Sequence, residues 1–195
     1  MPDSRLFLQT ARLRLREFTL EDVNHVVALD SDPEVMRYIS YGEPTPRATI
    51  AEKVLPAWIQ YYRGDPRVGF WAAEAEGEFI GWFHLRPDRF APEQQELGYR
   101  LHRRHWGRGY ATEGSLALLD DGFRVSQFEN ITARTLRENV ASQRVMQKCG
   151  MAFEEHFVYP ESILRGGTAK QRQAVKYAAT REQWLLSHPG SASDS

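Results

Sequence analysis

The chain has 195 residues, 42% hydrophobic and 26% charged, enough for one α/β domain with a sizeable core. Its 25 basic and 26 acidic residues leave a net charge of −1, which excludes a general polyanion-binding role, so no nucleic-acid partner is expected. A single cysteine, Cys149, excludes an internal disulfide; no apolar run nears the ~20 residues of a membrane span, and Met1-Pro2-Asp3-Ser4-Arg5 lacks an apolar signal core, so a cytoplasmic protein with no membrane partner is expected.

Residues 12–18 alternate in polarity and predict a first strand. Thr19, with Asp22 three residues on, predicts an N-cap for a helix to about Leu29. Asp32-Pro33-Glu34 starts a short second helix through Tyr38, and Tyr41 to Pro46 reads as a loop. Thr49 to Tyr62 has a helical pattern that Pro56 should kink or interrupt. Val68 to Ala75 and Glu78 to Leu85 predict two strands joined by a tight hairpin at Glu76-Gly77. Pro87 to Gln94 is a polar loop.

The next stretch carries most of the information. Glu96-Leu97-Gly98-Tyr99-Arg100-Leu101 alternates as a strand; His102-Arg103-Arg104-His105-Trp106-Gly107-Arg108-Gly109 is a basic, glycine-punctuated turn; Tyr110 to Phe123 continues at mostly helical spacing. Strand, glycine turn and helix together suit a phosphate, because the first helical N–H groups have no intrahelical partner and the dipole favours negative charge there. Gly107 and Gly109 let the backbone approach a diphosphate, and Arg103, Arg104 and Arg108 add positive charge. The turn is not a P-loop, which would end in Gly-Lys-Ser/Thr, and Thr112 stands where a dinucleotide fingerprint needs its third glycine.

Glu129 to Thr135 predicts a strand, and Ser142 to Lys148 a helix, followed by Cys149-Gly150 and a strand over Met151 to Val158. Gly166-Gly167 marks a turn before a last strand, about Gln171 to Ala178. Thr180 caps a closing helix, Arg181 to Leu186. Residues 1–187 read as one domain and 188–195 as a disordered tail.

Arg104-His105-Trp106-Gly107-Arg108-Gly109-Tyr110-Ala111 fits Arg-x-x-Gly-x-Gly/Ala and resembles the acetyl-coenzyme A signature of the GCN5-related N-acetyltransferase (GNAT) superfamily. Trp106 to Glu113 looks like the ribosomal-protein-alanine acetyltransferase (RimJ/RimL) branch, as does the second block, Asn139-x-x-Ser142-x-x-Val145 followed by Lys148-x-Gly150. The likeness spans roughly Leu8 to Trp184. It implies an α/β (α+β) fold with one central, mixed, mostly antiparallel sheet of about seven strands, splayed in the middle and flanked by helices. It also implies acetyl transfer from acetyl-coenzyme A to a primary amine, on a small molecule or a protein N-terminus, by direct attack in a ternary complex. A homodimer is possible and no metal is expected, since the histidines lack ligand spacing.

Under this resemblance Glu96 is the general base, unless it is only a surface carboxylate at a strand start. A backbone N–H near Leu101 would polarise the thioester carbonyl. Relatives carry a tyrosine acid where this chain has Met146, so the proton donor is in question; Ser142, one turn earlier, is the substitute, or else a local cap. Asn139 would bind the pantetheine or cap its helix. Arg103, Arg104, Gly107, Arg108, Gly109 and Tyr110 would hold the phosphates, though the arginines could instead be solvated surface. Glu113 reads as structural, Cys149 as a core thiol, Trp106 as loop packing, and His84 as a strand histidine or an aid to the base. Tyr38, Tyr41, Trp58, Tyr61, Tyr62 and one of Trp82 and Phe83 are candidates for the acceptor wall. Two rivals remain: a non-catalytic acyl-coenzyme A binding domain, and a nucleotide-cofactor oxidoreductase.

Overall fold

A computed structural model describes residues 4–189. Its eight strands are β1 (Leu6–Gln9), β2 (Arg14–Glu17), β3 (Gly69–Ala75), β4 (Glu78–Pro87), β5 (Gln95–Leu101), β6 (Asn130–Leu136), β7 (Ala152–Val158) and β8 (Gln173–Thr180). They form one sheet in the order β1-β2-β3-β4-β5-β6-β8-β7, in which only β5 and β6 run parallel. The helices are α1 (Val23–Asp30), α2 (Pro33–Met36), α3 (Arg47–Thr49), α4 (Leu55–Tyr61), α5 (Tyr110–Asp120), α6 (Val140–Lys148) and α7 (Arg181–Ser187).

The sheet has one strand more than the seven expected. Leu6-Phe7-Leu8-Gln9 is too short to display alternation; partners define it instead. It pairs with β2 through Leu8 and Leu15, and the Phe7 ring stacks on Trp71 with centroids 4.1 Å apart. Pro56 acts as expected, with a refinement. A wide π-helical turn over Ile50–Val54 precedes it, the Leu55 N–H donates to Ile50 O, and the proline falls in the first turn of α4, where its missing donor is not needed. Glu76 and Gly77 both take positive φ, +53° and +78°, as a two-residue hairpin requires. The tail expected from residue 188 lies largely outside the described residues; His188 stacks on Trp184 at 3.9 Å.

Strand alternation divides the core into two layers. Trp71, Ala73, Phe83, Leu85, Leu97 and Leu101 face α5 and α7, packing with Leu118, Leu119, Phe123 and Trp184. Phe70, Ala72, Phe79 and Trp82 face α1 and α4, packing with Val26, Leu29, Ile50 and Leu55. Trp82 and Phe83 therefore point to opposite layers. Phe83 lies under Gly114 of α5, and Trp82 lines the cavity described next.

The feature that positions the site is a split. β5 and β6 pair only at Gln95–Ile131 and Glu96–Thr132. Beyond that point β5 stays with β4 up to Leu101, while β6 stays with β8 up to Leu136. A cavity of about 980 Å³ occupies the opening.

Candidate active site

β5 contributes its backbone to the split. The His102 N–H donates to Ile80 O at 2.9 Å. In an antiparallel ladder successive residues alternate in direction, so the N–H groups of Tyr99 and Leu101 turn away from β4, toward the opening. No strand stands opposite them there, because the pairing with β6 has already stopped. The Leu101 carbonyl accepts the Trp106 indole N–H at 2.8 Å. Trp106 thus anchors the glycine turn through a hydrogen bond while its half-exposed ring lines the cavity.

The turn delivers the α5 N-terminus to the same opening. Gly109 is the N-cap, with φ +84°, and no side chain caps the helix. Its left-handed conformation suits glycine, and the leading amides of α5 stay open toward the cavity wall formed by Gly107, Gly109, Tyr110, Ala111 and Thr112. Glu113 is structural. It accepts the Thr10 hydroxyl at 2.6 Å and pairs with Arg12 at 2.5 Å, tying the β1–β2 turn to α5. The basic residues divide. Arg104 pairs with Glu78, and Arg103 and Arg108 are exposed beside the wall rather than on it. Arg144 and Lys148 of α6, which sequence reasoning passed over, line the opposite wall. Their three- and seven-residue offsets from Ala141, which also lines the wall, place them on one helix face, the signal that could have found them.

Asn139 caps α6 through its side-chain oxygen, which accepts the Ser142 N–H at 3.2 Å; its amide nitrogen has no partner among the described residues. Ser142 Oγ lies 3.1 Å from the Tyr99 hydroxyl. Met146 is core, 4% exposed. Tyr99 was missed at the sequence level. The signal was present, since it lies on the same side of β5 as Leu101 and three residues beyond Glu96. Burial pushes its phenol up to about 12, despite the hydrogen bond shared with Ser142, so it stays protonated. Burial likewise raises the Cys149 thiol to about 12, which leaves it inert.

Glu96 sits at the last paired position before the split, 9% exposed. Oε2 accepts from Arg86; Oε1 has no hydrogen bond among the described residues, with Arg134 Nη1 at 3.7 Å. Burial raises the carboxyl above its ordinary value, and the guanidiniums of Arg86 and Arg134 only partly offset this. Arg134 is itself held by buried Asp88, which also accepts the Thr132 hydroxyl at 2.7 Å. Across from Glu96, His84 lies against Gly98, where even a Cβ would come within 2.0 Å of Nε2. Arg100 pairs with buried Asp30 and lies over Trp82 at 5.0 Å. Tyr159, Ile163 and Leu164 close the cavity above; Leu164 packs with Leu136, Tyr38 and Tyr41, bridging the two halves of the sheet. Of the expected acceptor-wall aromatics, Tyr38 and Trp82 reach the cavity, whereas Trp58, Tyr61 and Tyr62 pack against Phe18 and Phe70.

The family model for the GNAT acetyltransferase domain matches residues 12–152. The chain is 32% identical over 186 residues to FsC-acetyl coenzyme A-N(2)-transacetylase of Aspergillus fumigatus, covering 91% of this chain and 77% of that protein. Among solved structures it is similar to a GNAT-family acetyltransferase from Bacillus anthracis, 26% identical with TM-score 0.72, covering 91% of this chain and 99% of that one. It also resembles RimL, a ribosomal L7/L12 alpha-N-protein acetyltransferase in complex with coenzyme A, at TM-score 0.76 and 14% identity, covering 92% of this chain and 99% of that one. The chain belongs to the GNAT acetyltransferase family, and it is an acetyl-coenzyme A-dependent N-acetyltransferase.

Proposed function

We propose that the chain acetylates a primary amine by direct attack in a ternary complex, using Glu96 as base and the Tyr99–Ser142 pair as proton donor. The observation that carries this is the split itself. It opens immediately after Glu96, exposes the Tyr99 and Leu101 amides, and ends at the uncapped start of α5. The residues present fit an acyl-coenzyme A: amides for the diphosphate, free strand amides and the Asn139 amide for the pantetheine, and cations at Arg144 and Lys148. When bound, that co-substrate supplies the thioester.

The remaining work falls to side chains. A free amine titrates near ~10 and is mostly protonated at neutral pH. Glu96 Oε1, raised by burial and unbonded, takes a proton from it directly or through one water. The Leu101 N–H donates toward the thioester oxygen, where negative charge develops. The Tyr99 hydroxyl, relayed by Ser142, gives its proton to the departing sulfur. A tyrosine from β5 thus reaches the place that Met146 cannot serve. This favours catalysis over a purely coenzyme-binding role. Trp106 to Glu113 supports membership of the RimJ/RimL branch.

The test is thiol release from acetyl-coenzyme A against a panel of amines and peptides. Amine-dependent release supports the reading; tight coenzyme binding with no release against any acceptor returns the chain to the binding-domain alternative.

A further inference from the structure

Resting on the acetyl-transfer reading, the acceptor half of the cavity narrows the substrate class. Four arginines line or back this half. Three are matched: Arg100 by Asp30, Arg134 by Asp88, and Arg86 by Glu96. At the rim, Arg37 is matched by Glu34. Glu138 adjoins Asn139 on the coenzyme side. Arg89 lines the cavity, is exposed to it, and has no ion pair or side-chain hydrogen bond among the described residues. It follows Asp88 in the loop after β4 and adjoins Phe90, which lines the same cavity with the Arg134 guanidinium 5.1 Å from its ring. Each carboxylate of the acceptor wall already answers to a cation. Beside Glu96 a second ammonium would find no free carboxylate and would meet Arg89; Glu138, the cavity-lining carboxylate left unpaired among the described residues, lies next to Asn139.

We infer that Arg89 is a carboxylate-binding subsite, and that the acceptor is a small amine carrying a carboxylate and an apolar body rather than a polyamine. The unmatched guanidinium offers a planar pair of donors that suits a carboxylate. Phe90, Tyr159, Ile163 and Leu164 offer an apolar surface beside it. Leu164, packed with Leu136, Tyr38 and Tyr41, covers the split on this side.

Binding of N-acetyl-phenylalanine and of its carboxamide to the coenzyme A-loaded full chain, followed by calorimetry, tests this without relying on turnover. The carboxylate should bind roughly ten-fold tighter than the amide, as a charge-assisted pair implies. Arg89→Ala should abolish the difference, and Arg89→Lys should restore part of it, while coenzyme affinity stays unchanged. Equal binding of the two ligands, no binding of the carboxylate, or equal weakening of both by Arg89→Ala overturns the subsite. Thiol release measured in parallel separates the two readings. Carboxylate-selective binding without release removes acetyl transfer and keeps the subsite. Release with spermidine or uncharged amines, and no carboxylate preference, keeps acetyl transfer and removes the subsite.

Discussion

The two halves of the cavity are built by different means. The coenzyme half is backbone: the strand amides of Tyr99 and Leu101, and the α5 N-terminus freed by Gly109. It comes from one contiguous stretch plus the start of α6. The acceptor half is side chain. Asp30, Arg86, Asp88, Glu96, Arg100 and Arg134 interlock in ion pairs drawn from α1, β4, the following loop, β5 and β6. A backbone cradle suits a ligand that never changes. A side-chain lattice can be re-cut residue by residue while the fold stays intact, which is where acceptor choice belongs.

Glu96 lies where the halves meet, so its variant gives the largest effect. Glu96→Gln keeps the shape and the contact with Arg86 but cannot take a proton. kcat should fall by ~10²-fold or more, within the range for general base catalysis, with the KM for acetyl-coenzyme A unchanged. In the wild type, kcat/KM should rise with pH through a limb above the ordinary carboxylate value of 4.5, since burial raises this group. The variant should lose that limb. Unchanged rates would remove Glu96 from the mechanism.

Tyr99→Phe comes next, with kcat lower by roughly ten-fold for loss of one proton donor. A thioester with a more acidic leaving thiol should rescue most of the loss, because the sulfur then departs without help. Equal losses with both thioesters would make Tyr99 a packing residue. This site shows what the sequence could and could not disclose. The glycine turn and the Asn139 cap were legible because positive φ and helix capping are local rules, whereas the role of Glu96 came from the family resemblance. The Tyr99–Ser142 contact spans 43 positions in sequence, and the Asp88–Arg134 pair spans 46. No local periodicity encodes either. The first strand escaped for a related reason, since its partners create it. The charge of the turn's arginines was legible too, but the pairing of Arg104 with Glu78 depends on the β3–β4 hairpin.

A smaller effect isolates the coenzyme half. Gly109→Ala forces a side chain into the left-handed region and brings its Cβ to 3.3 Å from Arg12 Nη2. That conformation costs a non-glycine residue ~1–2 kcal/mol, so the KM for acetyl-coenzyme A should rise roughly ten-fold if the strain is relieved by reshaping the turn. kcat at saturation should stay within about two-fold. A matching loss in kcat would mean that the turn also aligns the acceptor half.

The smallest effect reads the acceptor half through stability. His84 is buried against Gly98, its Nδ1 has no partner, and it stacks on Phe70 at 4.8 Å. Burial, then the charges of Arg86, Arg89 and Arg100, hold its pKa well below the ordinary 6.5. The folded protein therefore keeps His84 neutral where the unfolded chain protonates it. Its contribution is complete above 6.5 and is lost as pH falls from there toward the depressed folded value, by at most ~1.4 kcal/mol per pH unit. His102 and His105, beside the glycine turn, are shifted the same way by burial and by Arg104, but less far. Glu96 opposes them, because a raised carboxyl gains stability as pH falls toward 4.5. Denaturant unfolding between pH 6.5 and 5 should thus flatten more in His84→Asn than in His102→Asn or His105→Asn. It should steepen in Glu96→Gln. If His84→Asn leaves the slope unchanged, His84 is not held neutral in the folded protein, and neither its burial nor the arginines around it shift its titration.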